Sequence, residues 1–474
     1  MSNEKSETIL DHDIEQLEIE DPENDKQYQE QKKKYIIKGL ISILSCIFHT
    51  CGYYSFFILG HNVVYLISFR RYFNPNITFS HGYFLFPIMY FTLSLTIPIG
   101  GIIENKIGGK KTIILSTSII CLSLLLMYIS KYLFVDYILM SFIGLGIALG
   151  LKLSKRNACS FFMNRKALIS GIVTLVPTFV CVGLAIYNEK YILNPLSERP
   201  TIENTYYEKR IFLNFQKLLI YEILFLILMC VLSLVTFYKN DPKETIKFGF
   251  GEKIKENKIN KEMKKEEKNG DSKLMQVLKN RRPYKQFLMI FLYYPTISFI
   301  QNTWRPIGIY YKINTKYLQI IGALANITGS LSSIIFSLIG DKIQFRYLFA
   351  FSGLLLSIIS FIFPISFTNT KEILFIFEIL LIYFALNGFN IIIDPHLMKV
   401  YGLENFVQIC GIIRTSSGIA EISSVSFAFY LEKYFTGNKD IAYKWMYFTS
   451  GCFSFIAFVL GIFENDEKFD YNKN

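Results

Sequence analysis

The 474-residue sequence has no phosphate-binding loop of the GxxxxGK[ST] kind, no CxxC pair and no basic start followed by an apolar core. The first absence argues against direct coupling to ATP hydrolysis. The eight cysteines (Cys46, Cys51, Cys121, Cys159, Cys181, Cys230, Cys410, Cys452) fall inside or at the ends of apolar runs, which suits reduced packing thiols rather than a disulfide framework or a metal site. The third absence argues against a cleavable signal peptide. Retention and lipidation signals are missing too. A net charge of +12 would suit a nucleic-acid binder, yet the positive residues lie in loops between apolar runs and form no basic, aromatic-interleaved face. No nucleic acid, metal or cofactor is expected.

What is abundant is apolar length. Hydrophobic residues make up 51% and aromatics 16%, with a positive mean hydropathy, more than a soluble domain of this length can hide. Twelve spans are predicted, roughly 36–67, 83–103, 112–132, 135–160, 168–187, 213–238, 286–310, 317–339, 347–367, 372–393, 406–431 and 443–463. The chain is thus read as an all-α, multi-pass membrane protein embedded in a lipid bilayer.

Polar segments divide it further. Residues 1–34 hold eleven acidic residues against five lysines and no apolar period, and are read as a disordered tail. Residues 35–238 form a first six-helix bundle and 286–463 a second, joined by a Lys-rich linker at 239–285 with fifteen basic and eight acidic residues; 464–474 is a short charged tail. The basic excess of the linker, and Lys32 to Lys34 before span one, place both termini and the linker in the cytoplasm. Asn76-Ile77-Thr78 fits a glycosylation sequon, of a kind common by chance.

Between spans two and three lies a charged turn, Gly101-Ile102-Ile103-Glu104-Asn105-Lys106-Ile107-Gly108-Gly109-Lys110-Lys111. Gly101 lets helix backbones approach, Gly108 and Gly109 supply positive φ for the reversal, and Lys110 and Lys111 hold the turn at the cytoplasmic surface. A degenerate copy recurs about 236 residues later, from Ser337 through Asp341 to Arg346, implying two homologous bundles.

The spacing Gly-x3-acidic-x2-Gly followed by basic residues resembles the loop between helices two and three of the major facilitator superfamily. Pro98 to Gly108 resembles its oxalate/formate antiporter and monocarboxylate transporter branch. The usual Asp of the superfamily is Asn105 here, with Glu104 beside it as the substitute. Phe161 to Gly171, Tyr191 to Pro195, and Tyr401 to Asn405 followed by Gly411 and Gly418 resemble further stretches of that branch, so the likeness covers roughly residues 36–463. It implies the major facilitator fold, twelve transmembrane helices in two pseudo-symmetric six-helix bundles. In the oxalate/formate antiporters an arginine on helix eight and a lysine on helix eleven bind substrate carboxylates. The matching positions are Ser333 and Ser417, so simple oxalate exchange is not expected, whereas a single carboxylate or a larger organic anion is.

Ionisable groups inside spans cost about 2.5–3.5 kcal/mol on insertion scales, so each marks a candidate polar site. His49 in span one is a candidate proton acceptor or a neutral interhelical histidine. In span four, Lys152, Lys155 and Arg156 could form an anion-attracting vestibule, or Lys155 and Arg156 could snorkel to head groups and leave Lys152 alone in the pathway. Glu222 and Glu378, about seven residues from the outer ends of spans six and ten, are read as interfacial and structural. Arg414 in span eleven is the leading carboxylate ligand, with Glu421, two turns on, as its exchangeable partner and a second proton acceptor.

The expected function is secondary active transport of a small organic anion such as a monocarboxylate, proton-coupled or exchanging, by a monomer in the plasma membrane, with an organelle membrane as the alternative. The same fold carrying an amino acid or vitamin is one alternative. A membrane enzyme, such as an acyltransferase using His49, is the alternative from another class.

Overall fold

The computed structural model describes residues 22–77, 79–82, 84–187, 209–241, 244, 248, 276–310, 315–368, 372–403, 406–435, 438–464 and 467. The expected acidic tail up to residue 21, most of the Lys-rich linker, the loop 188–208, Thr78 of the sequon, Glu404, Asn405 and the chain from 468 onward lie outside them.

Among the described residues, twelve long helices follow one another: α1 Pro22–Arg71, α2 Leu85–Ile107, α3 Gly109–Ile129, α4 Leu133–Ser160, α5 Lys166–Tyr187, α6 Lys209–Thr236, α7 Arg281–Tyr310, α8 Thr315–Gly340, α9 Phe345–Thr368, α10 Glu372–Tyr401, α11 Phe406–Tyr434 and α12 Lys439–Ile462. Nine are long and apolar enough to cross a bilayer on length and composition alone. Of the others, α8 is apolar from Leu324 to Gly340, whereas α7 and α11 are more polar; α11 carries Arg414, Glu421 and several serines.

Packing follows one scheme twice. In the first half α1 packs on α5 and α6, α2 on α4, and α3 on α4 and α6; six helices later α7 packs on α11 and α12, α8 on α10, and α9 on α10 and α12. The halves meet along two seams related by the same repeat, α2 against α11 and α5 against α8. The first seam is nearly backbone on backbone. A Cβ at Gly411 would overlap Pro98, and one at Gly418 would overlap Ser94 and the Phe91 backbone.

The starts of α1 and α7 and the end of α12 share one face, here called the linker face. There α1 begins well before the expected span, at Pro22, so part of the stretch read as tail is helix. Its early turns gain support from the Glu30–Lys34 pair (2.8 Å) and from Tyr28 and Tyr35, whose rings pack on Phe248 of the linker (5.3 and 5.5 Å); Lys38 reaches Glu244 at 3.1 Å. Likewise α7 starts at Arg281 rather than near 286. On the same face Glu464, just past α12, is buried between Arg282 (3.0 Å), Lys285 (3.2 Å) and the Gln286 amide (2.9 Å), with His396 at 3.7 Å. Burial raises its carboxyl, but the His396 hydrogen bond and the Arg282 charge outweigh this and hold it at about 2.

At the opposite, far face, Arg70 at the end of α1 is wholly buried against Asp136 of α4. Its Nε and Nη2 donate to the two carboxylate oxygens at 2.5 Å each, Nη2 donates to Met127 O at 2.9 Å, Nη1 donates to Ser130 O, and the guanidinium lies 4.6 Å from the Phe69 ring centre.

Candidate functional site

The site is built around a residue absent from the sequence candidates, Asp394 of α10. Its side chain is fully buried, and three cations converge on it from both halves. Lys152 and Lys155 of α4 donate to Oδ2 at 2.6 and 2.8 Å, while Arg414 Nη2 of α11 donates to Oδ1 at 2.9 Å. The Cys410 thiol adds a weak contact at 3.7 Å. Asn390 Oδ1 accepts from Tyr294 OH (3.1 Å) and from Arg414 Nη1 (3.4 Å), fixing the guanidinium from the side.

Helical rise places this hub at a consistent depth. Lys152 lies eight residues before the end of α4, Asp394 seven before the end of α10 and Arg414 eight after the start of α11, so each is about 10–12 Å in from the linker face. Three positive charges against one negative leave a formal excess of two in a buried site. Arg414 Nε has no hydrogen-bond partner among the described residues. Such an arrangement attracts a further anion, because buried cations are costly without counter-charge.

The structure corrects several expectations. The internal partner of Arg414 is Asp394, not Glu421, which sits two turns farther along α11, too far for direct contact. Glu421 is buried, within electrostatic reach of the Tyr294 hydroxyl. Lys155 does not snorkel but joins Lys152 on Asp394, and Arg156 turns away to bond Glu104. Ser333 and Ser417 donate back to their own helices, to Gly329 O at 3.0 Å and Arg414 O at 2.7 Å, and make no hydrogen bond to the hub among the described residues. Glu222 and Glu378 are buried within the helix packing. Because α6 starts at Lys209, Glu222 lies thirteen residues in, close to the helix midpoint.

His49 belongs to a separate hydrogen-bonded chain inside the first half. Its Nδ1 meets Ser154 Oγ at 2.9 Å and its Nε2 meets Tyr53 OH at 2.5 Å; Tyr53 also meets Ser116, whose hydroxyl donates to Gly146 O at 2.7 Å. Ser154 lies between Lys152 and Lys155, so this chain abuts the hub through α4 without entering it.

The charged turn takes the expected place between α2 and α3, and Glu104 is bonded to Arg156 of α4. Positive φ belongs to Gly108 alone (84°). Gly109 is the first residue of α3, where a Cβ would press on Phe237. Asn105, Lys110 and Lys111 are exposed. A Cβ on Gly101 would stand 3.1 Å from Val407 of α11. In the second copy, Asp341 accepts from the backbone N–H of Ala167 and Leu168 (3.0 and 3.1 Å), capping α5 of the other half. Arg346 instead donates to Tyr347 OH at 2.8 Å and lies over that ring.

Asp394 was missed because span ten was ended at 393, where Asp394-Pro395 reads as a helix stop. The helix instead runs through Pro395 to Tyr401, as helices in membranes tolerate when neighbours satisfy the freed backbone groups. Arg70 lay beyond the drawn end of span one, while Asp136 stood at the edge of span four. The signal available was an acid at a span edge opposite intramembrane cations with no assigned counter-charge.

Residues 218–425 match the family described as Major Facilitator Superfamily. No curated protein is significantly similar in sequence. Among solved structures, the proton:xylose symporter XylE bound to 6-bromo-6-deoxy-D-glucose superposes with a TM-score of 0.65 at 13% identity, covering 90% of this chain and 95% of that one. The fucose:proton symporter FucP of E. coli gives 0.61 at 13%, covering 90% and 98%. The human organic anion transporter MFSD10 gives 0.60 at 9%, covering 90% and 99%. Among the described residues, twelve long helices in two matching halves, joined along α2/α11 and α5/α8, have the all-α fold of the Major Facilitator Superfamily.

Proposed function

We propose that this protein is a secondary active transporter of a small, monocarboxylate-like organic anion, coupled to protons or to exchange, working by alternating access. The observation that carries the reading is the unbalanced hub, three buried cations on the single carboxylate of Asp394. An incoming carboxylate offers Arg414 a second, bidentate partner and offers Lys152 and Lys155 a second anion. Each bond it takes is one fewer between α4 and Asp394, so binding loosens a tie between the halves and favours opening of the linker face. The other polar tie there, Asp341 on the start of α5, and the turn holding Gly101, Glu104, Asn105, Gly108, Lys110 and Lys111 form the gate. Arg346, held by Tyr347, borders it.

The linker face is cytoplasmic in this reading, from the basic excess of residues 239–285, with both termini on that side, in a plasma-membrane monomer. MFSD10, described as an organic anion transporter, and the resemblance of Pro98 to Gly108 to the oxalate/formate and monocarboxylate branch agree with the substrate class. Ser333 and Ser417, the positions of that branch's cations, leave Arg414 and Lys152 as the carboxylate ligands. Coupling protons require an acceptor; His49 and Glu421 are the sequence candidates.

A second reading has one observation in its favour. The hub holds both signs, so an amino acid could place its carboxylate on Arg414 and its ammonium on Asp394. Uptake into proteoliposomes with competing monocarboxylates, dicarboxylates and amino acids separates the two. Competition by monocarboxylates is expected, and competition by amino acids alone overturns the anion reading.

A further inference from the structure

Glu222 stands apart from every ion pair described above. It lies near the midpoint of α6, on the buried face shared with Phe215, Leu218, Leu219 and Leu226, and is 4% exposed. Both carboxylate oxygens are buried and have no hydrogen-bond partner among the described residues. By contrast, His49 meets hydroxyls on both ring nitrogens, and Glu421 has an interaction of its own.

The helices packed against α6 are α1 and α3. The α1/α6 seam is bonded towards the linker face, where Ser45 donates to Ser233 O at 2.7 Å, and close-packed at its middle, where a Cβ on Gly52 would stand 3.3 Å from Leu226. Glu222 lies one turn beyond Leu226. The titratable groups described at the middle of this seam and beside it on α3 are uncharged in type, Cys51 and Tyr53 on α1, Cys121 on α3 and Cys230, two turns along α6; Lys110 and Lys111 at the start of α3 and Lys217, five residues before Glu222 on α6, are exposed. No hydrogen bond or ion pair of Glu222 is found among the described residues.

A carboxylate buried within an apolar span, with no donor or counter-ion among the described residues, is stable as the neutral acid. We propose that Glu222 is the proton-carrying group of this transporter: it holds a proton in the conformation described, and releases it to water when rearrangement of the α1/α6 seam wets its side chain. The step is simple protonation, a carboxylate plus one proton from water giving the carboxylic acid, and its reverse. This deepens the proton-coupled reading above and rests on it for its role in transport, but the protonation can be read without any substrate.

The decisive experiment is infrared difference spectroscopy of the full-length protein in lipid nanodiscs, titrated from about pH 5 to about pH 10. The expected result is a carbonyl band of a water-shielded carboxylic acid that bleaches as pH rises, shifts slowly in heavy water, disappears in Glu222→Gln and returns, displaced, in Glu222→Asp. A wild-type spectrum identical to that of Glu222→Gln overturns the proposal. So does a Glu222 band that persists unchanged to the alkaline end while the protein stays folded, since that marks a fixed structural acid. In liposomes loaded with lactate, one pH unit can drive at most about tenfold accumulation through one-to-one coupling. Glu222→Gln should bring this ratio to about one while lactate exchange continues; retained accumulation overturns the proposal. Absence of any lactate movement by the wild type counts against the substrate class and leaves the spectroscopic result standing.

Discussion

Two buried ion clusters, one near each face, use the same residue types to opposite ends. At Arg70 one guanidinium meets one carboxylate in a bidentate pair, the Met127 and Ser130 carbonyls take further donors, and every partner belongs to the first half. Around Asp394 one carboxylate is shared by three cations, two of them from the other half, and Arg414 Nε has no acceptor among the described residues. A balanced cluster inside one half ties the helices of that half together. An unbalanced cluster across the boundary between the halves leaves attraction to spare for a ligand.

The largest effect should come from Asp394→Asn, which strips three buried cations of their counter-charge. Removing one partner of a buried pair costs about 3–5 kcal/mol, so a lower thermal midpoint and loss of uptake are expected together. Asp136→Asn should cost a similar ~3–5 kcal/mol, but its surviving folded fraction should transport with an unchanged KM. A changed KM in Asp136→Asn would erase the distinction between the clusters.

Next comes Arg414. Arg414→Gln should abolish uptake at normal surface abundance, while Arg414→Lys should keep part of it with affinity weaker by about 1.5–3 kcal/mol, measured as KM. Gly101→Leu should insert normally but transport poorly, because a leucine against Val407 overpacks the α2/α11 seam by about 1–3 kcal/mol. Lys152→Gln or Lys155→Gln alone should raise KM by about fivefold, near 1 kcal/mol, since the other ammonium remains on the same oxygen; the double variant should exceed the sum.

The smallest effect concerns Glu464. Its carboxyl is held at about 2 against a reference of 4.5, so its stabilising contribution is present above the reference value and is lost as pH falls from there through about 2. The difference in thermal midpoint between wild type and Glu464→Gln should therefore stay constant from about pH 8 to about pH 5 and shrink in acid.

The sequence makes the twelve helices legible because apolar length and charged turns are local signals. Arg414 and Lys152 stand out for the same reason, being costly cations inside apolar runs. Their convergence does not show, because Lys152 and Asp394 are 242 positions apart and only the packing of two halves brings them together. Asp394 was hidden by a local rule that reads Asp-Pro as a stop, and Arg70 by a span end drawn a few residues short. The position of Glu222 within its helix depends on where α6 starts, which apolar length alone does not set.

The glycines of α11 set how the halves can move. Where Gly411 and Gly418 lie on Pro98 and Ser94, no side chains interlock, and the repeat-related α5/α8 seam is similarly close at Gly171 against the Ser333 carbonyl and Ser337. Two smooth lines of contact across one boundary define an axle. From Gly418 to the linker-face end of α11 at Phe406 is twelve residues, about 18 Å, so a roll of about 15° on that axle swings the end by about 5 Å. A swing of that size is greater than any of the ion-pair distances at Asp394, so in the transport cycle proposed above the two halves would part at the linker face while Gly418 stays against Ser94.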